Sequence, residues 1–240
     1  MFDQQSPASS SARTTSTITA INTPAPEPTN THLEFPLPSE PESLRLLALF
    51  LAHIGTAQHF LDPRTFSDAV ALLYKDHESR DAQVSTVWFT QYLLVIALAK
   101  LADVETPVYD GEPPGGEFFS EAIRRLPSMH RLPRCGVIAV EILCLIGVYL
   151  QWSDRKKDAY FYVSSPARDR RHSTDANIYF QIGNAVRLAI SQGCHLPASL
   201  QDCLPSERAH RTRVWWTAYM LDRCVIKGFL CSQDVTGQKY

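Results

Sequence analysis

Recognisable catalytic signatures are missing from these 240 residues: no C-x-x-C, G-x-G-x-x-G, G-x-x-x-x-G-K-[ST], G-x-S-x-G or H-E-x-x-H occurs. Their absence removes zinc ribbons and redox dithiols, dinucleotide and P-loop nucleotide sites, serine-hydrolase elbows and zincin metalloproteases. Glycine is scarce, at 10 residues, and its densest run (Gly111, Gly115, Gly116) is interrupted by Pro113-Pro114. Proline has no backbone N–H, so that loop makes a poor phosphate cradle. A basic surplus is missing too. Lys and Arg number 23 against 25 Asp and Glu, for a net charge of -2, which argues against a strongly basic nucleic-acid surface. Alternation with a period of 2 is nowhere convincing, which leaves no candidate strands.

The six cysteines (135, 144, 194, 203, 224 and 231) are too widely spread to share two metal ions. Cys144 lies inside Glu-Ile-Leu-Cys-Leu-Ile, where a free thiol behaves as a small hydrophobe, so buried free thiols are expected rather than disulfides. Eight histidines (32, 53, 59, 77, 130, 172, 195 and 210) contain no i, i+4 pair, and they read as satisfied or solvent-facing rather than as metal ligands. Paired acids for general acid–base work are also wanting. Catalytic, cofactor-binding and metal-ligating residues are therefore expected to be none, and the chain reads as a non-enzyme. The N-terminus has neither a secretory h-region nor a basic transit pattern. The most apolar run, 135–152, is short of a span and carries Glu141 near its middle, where a charge costs about 2.5–3.5 kcal/mol on insertion. No membrane segment is expected.

What is present divides in two. Residues 1–41 hold seven prolines, seven threonines and six serines, a composition unable to bury enough apolar surface to offset its conformational entropy. A disordered leader over 1–41 and a domain over 42–240 are expected. Seven helices can be read in that domain. Leu44, Leu47, Leu51 and Ile54 mark the first, and Phe66, Val70 and Leu73, after Asp62-Pro63, mark the second. A charged break from Lys75 to Arg80 precedes a long helix over 81–103, and a short one follows at 117–126. A core helix over 135–152 runs into a polar stretch, Ser153 to Thr174, with six basic and three acidic residues, read as a solvated loop. Thr174 or Asp175 is placed to cap the sixth, which Gly193 and Pro197 end; Ser206 is placed to cap the seventh, running to about Lys227. The fold expected is all-α, a multi-helical array of about seven helices in antiparallel pairs.

Two C-terminal segments are more specific than composition. The first, Tyr179 to His195, carries Ala185, Arg187, Leu188, Ala189, Gly193 and His195 in an A-x-R-L-A-x-x-x-G-x-H pattern. The second, Arg211 to Arg223, carries Arg211, Arg213, Trp215, Trp216, Leu221, Asp222 and Arg223. Together they resemble the fungal-specific transcription factor domain, the regulatory middle region of binuclear zinc cluster activators. Weaker likeness extends upstream, where Phe60-Leu-Asp-Pro-Arg-Thr-Phe66 is similar to the family's L-H-x-x-T-F turn with Asp62 replacing histidine. The resemblance covers roughly 43–240.

It implies a nuclear regulator of transcription, with zinc and DNA binding in full-length relatives but no zinc cluster in this chain. Cofactors in this chain are expected to be none. Homo- or heterodimerisation with related regulators, a small-molecule effector, and a C-terminally incomplete domain are further expectations, the alternative being an interaction module that titrates an intact relative. Arg168-Asp-Arg-Arg-His172 is a weak basic tract for import, broken by its aspartate. The signature residues Arg187, Gly193, His195, Arg213, Trp215, Trp216, Asp222 and Arg223 read as structural. Trp215 and Tyr219 are i, i+4 with Trp216 on a neighbouring face, which suits core packing, or else a ligand pocket or partner groove. Asp222, in an apolar stretch, is expected to pair with Arg187 or Arg213, since an unpaired charge there is costly.

Overall fold

A computed structural model describes residues 35–54, 58–103, 113–161, 170–197 and 203–236, with side chains throughout except at 154–161, 170–179 and 225–236. Eight α-helices and one 3-10 turn make up the described residues, with no strand among them: α1 Glu40–Ile54, α2 Pro63–Lys75, α3 His77–Val84, α4 Val87–Ala102, α5 Gly116–Arg125, the turn Leu132–Cys135, α6 Val137–Phe161, α7 Arg170–Ser191 and α8 Pro205–Thr236. The all-α expectation holds. Residues 1–34 of the expected leader lie outside the described residues. Its last stretch, however, is docked: Phe35 packs edge-on against Phe118 at 5.0 Å, and Pro38 accepts a hydrogen bond from the Tyr74 hydroxyl.

Local chemistry sets most of the boundaries. Asp62 caps α2, its Oδ2 accepting from Thr65 N at 3.3 Å and Thr65 Oγ1 at 2.6 Å, with Pro63 in the first turn. Those bonds hold the Asp62 carboxyl below its usual pKa. Asp76 caps α3 in the same way through Ser79 N at 2.7 Å. The expected break over Lys75–Arg80 therefore shrinks to one residue, and the expected helix over 81–103 becomes two. Ser85 and Thr86 divide it: their hydroxyls turn back to the carbonyls of Ala82 and Gln83, both at 2.7 Å, satisfying acceptors that helix continuation would otherwise use. The two halves meet at 87°.

Helix α1 also differs in facing. Its buried side is Ser43, Leu46, Leu47 and Phe50, while Leu44 is exposed. Ser43 can be buried because its hydroxyl lies 2.9 Å from the Tyr74 hydroxyl and 2.8 Å from that of Tyr92. A reading that follows only apolar residues skips the serine and rotates the stripe.

Helix α4 forms the centre, with every residue from Phe89 to Ala99 buried. It packs against α1, α5 and α6, and α6 in turn carries α7 and α8. Helix α6 is buried from Ala139 through Ile146, as its apolar run predicts, and a Cβ added at Gly147 would meet Ile182 Cγ1 at 2.6 Å. That glycine allows the close approach of α7. Among the described residues no single helix is long and apolar enough to cross a membrane; the bent pair α3–α4 passes on length and composition alone, and α4 is core.

Three expectations for the C-terminal half need correction. Helix α6 continues to Phe161 and α7 begins at Arg170, so much of the stretch read as a loop over 153–174 is helical. The expected cap at Thr174 or Asp175 thus falls inside α7. Helix α8 starts with Pro205 itself, a residue tolerated in the first turn, and runs to Thr236 rather than Lys227. Cys144 and Cys194 are buried as expected, whereas Cys135 and Cys203 are half-buried and Cys224 is exposed. Burial pushes the Cys144 thiol well above its ordinary pKa.

Candidate functional site

The first turns of four helices open onto one cavity of about 520 Å³. Thr65 and Phe66 come from α2, Trp88 and Gln91 from α4, Ile138 and Glu141 from α6, and Ser206, Glu207, Ala209, His210 and Arg213 from α8. Its walls are mainly apolar, from Leu61, Phe66, Trp88 and Ile138. The Phe66 and Trp88 rings lie 5.4 Å apart. That volume falls within the range of small-molecule pockets.

A chain of hydrogen bonds runs along the cavity's floor. Gln91 Nε2 donates to Glu141 Oε2 at 2.7 Å and to the Phe60 carbonyl at 3.2 Å. Glu141 Oε1 lies 2.5 Å from His210 Nε2, and His210 Nδ1 lies 2.9 Å from His59 Nε2. The His59 backbone N–H donates to Thr217 Oγ1 at 2.7 Å. His59, in the segment before α2, is thereby joined to His210 on α8, 151 positions away. Burial opposes charge on His210, but the hydrogen bond and charge of Glu141 outweigh it and raise its pKa. His59 goes the other way: burial first, then the charges of His210 and Arg213, lower it to about 4. A doubly protonated His210 donates from both nitrogens, so His59 accepts at Nε2 and carries its own proton on Nδ1.

These residues were not singled out from the sequence, where the histidines looked scattered and Glu141 served only to weigh against a membrane span. A signal was nevertheless present. Glu141 and Gln91 are polar groups on the buried, largely apolar segments of α6 and α4, and each requires a buried partner. His59 and His210 supply one end of that partnership.

The two signature segments meet each other instead. Helix α7 ends in a Schellman motif: Gly193 adopts φ 72°, Cys194 N donates to Ala189 O at 3.0 Å, and Gly193 N to Ile190 O at 3.0 Å. Arg211 on α8 donates to the Gln192 carbonyl in that turn at 3.1 Å, and the His195 ring sits 5.8 Å from Trp215. Arg211 is itself held by Glu207 at 2.8 Å. The first segment's end is thus fastened to the second segment's face.

Other signature positions are distributed. Arg213 lines the cavity. Arg187 is exposed and donates to Asn184 Oδ1 at 3.3 Å. Trp215 is half-buried against the core, but Trp216 is 57% exposed, alongside Tyr219 and Met220, so core packing describes only the first tryptophan. Asp222 pairs with neither Arg187 nor Arg213. Its Oδ2 accepts from Arg223 Nη2 at 2.8 Å, and Arg223 also stacks over the Tyr219 ring at 5.3 Å. Half-exposed at the arginine, the pair has no need of a distant partner. Among the described residues no group of three or more His, Cys, Asp or Glu is placed to hold a metal ion.

The described residues thus form an all-helical array on a buried central helix, with the end of α7 clamped by the R-x-R-x-W-W segment of α8. The chain belongs to the fungal-specific transcription factor domain family, which matches it over residues 39–227. It is also similar to a Schizosaccharomyces pombe protein named as an uncharacterized transcriptional regulatory protein, at 26% identity over 112 residues. That match covers 47% of this chain and 12% of the relative, so the chain spans a small part of the relative's length. No solved structure gives a significant match. The family places the chain in the regulation of transcription.

Proposed function

We propose that this chain is the regulatory region of a fungal transcription factor, acting in the nucleus and catalysing no reaction of its own. The family match over 39–227 carries the reading. The clamp of Arg211 and Trp215 on the end of α7 supports it, because it gives the two most specific family segments one shared structural task. In this reading DNA contact belongs to a zinc cluster outside these residues, and the helical array controls what that cluster does. The test is transcriptional. The chain fused to an unrelated DNA-binding domain should change a reporter several-fold relative to that domain alone, and a fluorescently tagged copy should concentrate in the nucleus. A flat reporter, with an unchanged transcriptome on gene deletion, would overturn it.

A second reading, an interaction module that pairs with or titrates a related regulator, is favoured by one observation. Trp216, Tyr219 and Met220 form an exposed apolar face on α8. Light scattering of the purified chain decides it: a dimer that Trp216→Ser dissociates supports this reading, and a monomer at all concentrations removes it for self-association.

A further inference from the structure

The net charge of -2 conceals one local surplus. From Ala122 to Val140 there is no Asp or Glu, yet the stretch carries Arg124, Arg125, His130, Arg131 and Arg134. It joins the end of α5 to the start of α6 through the 3-10 turn. Arg124 and Arg125 lie in the last turn of α5, where cations suit the helix dipole, and both are committed to Glu121 at 2.6 Å. Arg131 and Arg134 are different: both are exposed, and neither has an ion pair among the described residues. Two large apolar side chains, Ile123 and Met129, are 40% and 45% exposed in the same stretch. The backbone beneath them is held in shape. Arg131 N and Leu132 N donate to the Ser128 carbonyl at 2.8 and 3.1 Å, and Arg134 N to the Arg131 carbonyl at 3.0 Å. Leu132 is buried, and Gln192 Nε2 holds the Pro133 carbonyl at 2.7 Å. A surface fixed in this way loses little freedom when it is covered.

We propose that the turn between α5 and α6 is a docking surface for an acidic peptide segment of a partner protein. Arg131 and Arg134 pair with its carboxylates, and Ile123 and Met129 receive its apolar side chains. A guanidinium matches a carboxylate with two parallel hydrogen bonds, and arginine and methionine are both enriched where proteins meet. A segment with bulky apolar residues among its acids satisfies both halves of the surface. A nucleic acid satisfies only the charge, since the stretch from Ala122 to Val140 has no Phe, Tyr or Trp on which a base could stack. The turn is also tied to α7 through Gln192, whose carbonyl takes Arg211 of α8, so a partner seated here adjoins the contact between the two family segments. What docking controls rests on the regulatory reading above. Binding itself does not, and it is measured on the purified chain without any transcriptional readout.

The probe is a fluorescein-labelled peptide, two repeats of Asp-Leu-Glu-Asp-Phe-Glu, titrated with the 240-residue chain and followed by anisotropy. One comparator carries Asn and Gln for the acids, a second carries Ser for Leu and Phe, and a labelled oligothymidylate presents phosphates alone. Saturable binding is expected, weaker by at least about five-fold for each comparator and again on raising salt ten-fold, which screens exposed charges. Arg131→Gln with Arg134→Gln should weaken the peptide about ten-fold, the combined effect of two exposed ion pairs. Met129→Ser should weaken it about three-fold, and Lys75→Gln, an exposed cation on α2, should leave it unchanged. Far-UV circular dichroism confirms that each variant is folded. The proposal is overturned by the absence of saturable binding, or by equal affinity for the neutral peptide or the oligothymidylate. It is overturned equally by arginine or methionine variants that bind as the wild type does, or by the same loss in Lys75→Gln. Failure here with an active reporter removes the docking surface and leaves the regulator; binding with a silent reporter does the reverse.

Discussion

Glu141 and His210 form a buried ion pair between α6 and α8, Oε1 to Nε2 at 2.5 Å, with the glutamate side chain 6% exposed and the histidine 24%. The pair ties α8 to the core helix α6. Breaking one side of such a pair strands the other. Glu141→Leu should therefore destabilise the chain by about 3 kcal/mol, leaving Gln91 and His210 short of an acceptor. Urea unfolding measures it. His210→Leu in the same background should add much less than it costs alone, and full additivity would show that the two residues act independently.

The two histidines titrate in opposite directions, which gives stability a two-sided pH profile. His59 is lowered to about 4 from an ordinary 6.5, so the unfolded chain binds the extra proton more readily between those values. Its contribution is present above 6.5 and lost as pH falls from 6.5 toward 4. His210 is raised, so its contribution is present below 6.5 and lost as pH climbs through the raised value. The other ionisable groups lining the cavity around both rings are Asp62, Glu141, Glu207 and Arg213. Chemical denaturation from pH 4 to 9 should show His59→Gln flattening the acid limb and His210→Gln the alkaline limb. Unaltered limbs in both variants contradict this assignment.

The fold was largely legible because its strongest signal is composition along helices: the buried runs of α4 and α6 and the Phe66, Val70, Leu73 face follow directly from periodicity. The errors share a cause. At Ser43, at Ser85-Thr86 and at Asp76 a polar side chain makes a specific hydrogen bond, and apolar periodicity has no means of registering it. The site was less legible still. Glu141, Gln91, His59 and His210 are spread over 151 positions, and only the packing of α4, α6, α8 and the segment before α2 brings them within bonding distance. Trp215 and Gly193 carried local signals of their own and fell where those signals put them.

Gly193 offers the simplest backbone test. Its φ of 72° is a left-handed conformation that a β-carbon disfavours, and a Cβ there would also press on Leu196 Cδ1 at 3.3 Å. Gly193→Ala is expected to lower stability by about 1–2 kcal/mol, since both the strain and the contact act against it. A thermal melt unchanged from wild type would mean that the turn relaxes out of the Schellman geometry.

Asp222 should be far more tolerant than its apolar surroundings suggest. Its partner is the adjacent Arg223, whose side chain is 55% exposed, and solvent-screened pairs of this kind contribute little. Asp222→Asn should stay within about 0.5 kcal/mol of wild type in urea unfolding. A loss of 2 kcal/mol or more would instead restore a buried role for this carboxylate.

Trp215 and Trp216 are neighbours in sequence with separate duties, and substitution distinguishes them. Trp215 is half-buried, packs on the core, and holds the His195 ring at 5.8 Å and the Tyr219 ring at 5.9 Å. Trp215→Ala removes that packing and loosens the end of α7, so a loss of about 2–3 kcal/mol is expected, short of the full cost of a buried aromatic. Trp216, more than half exposed, meets Tyr219 edge-on at 5.9 Å; Trp216→Ser should change stability by less than about 0.5 kcal/mol. Differential scanning calorimetry on the two variants reads both. Equal losses would place the second tryptophan in contact with something beyond the described residues, and a tolerant Trp215 would remove the clamp between the two family segments.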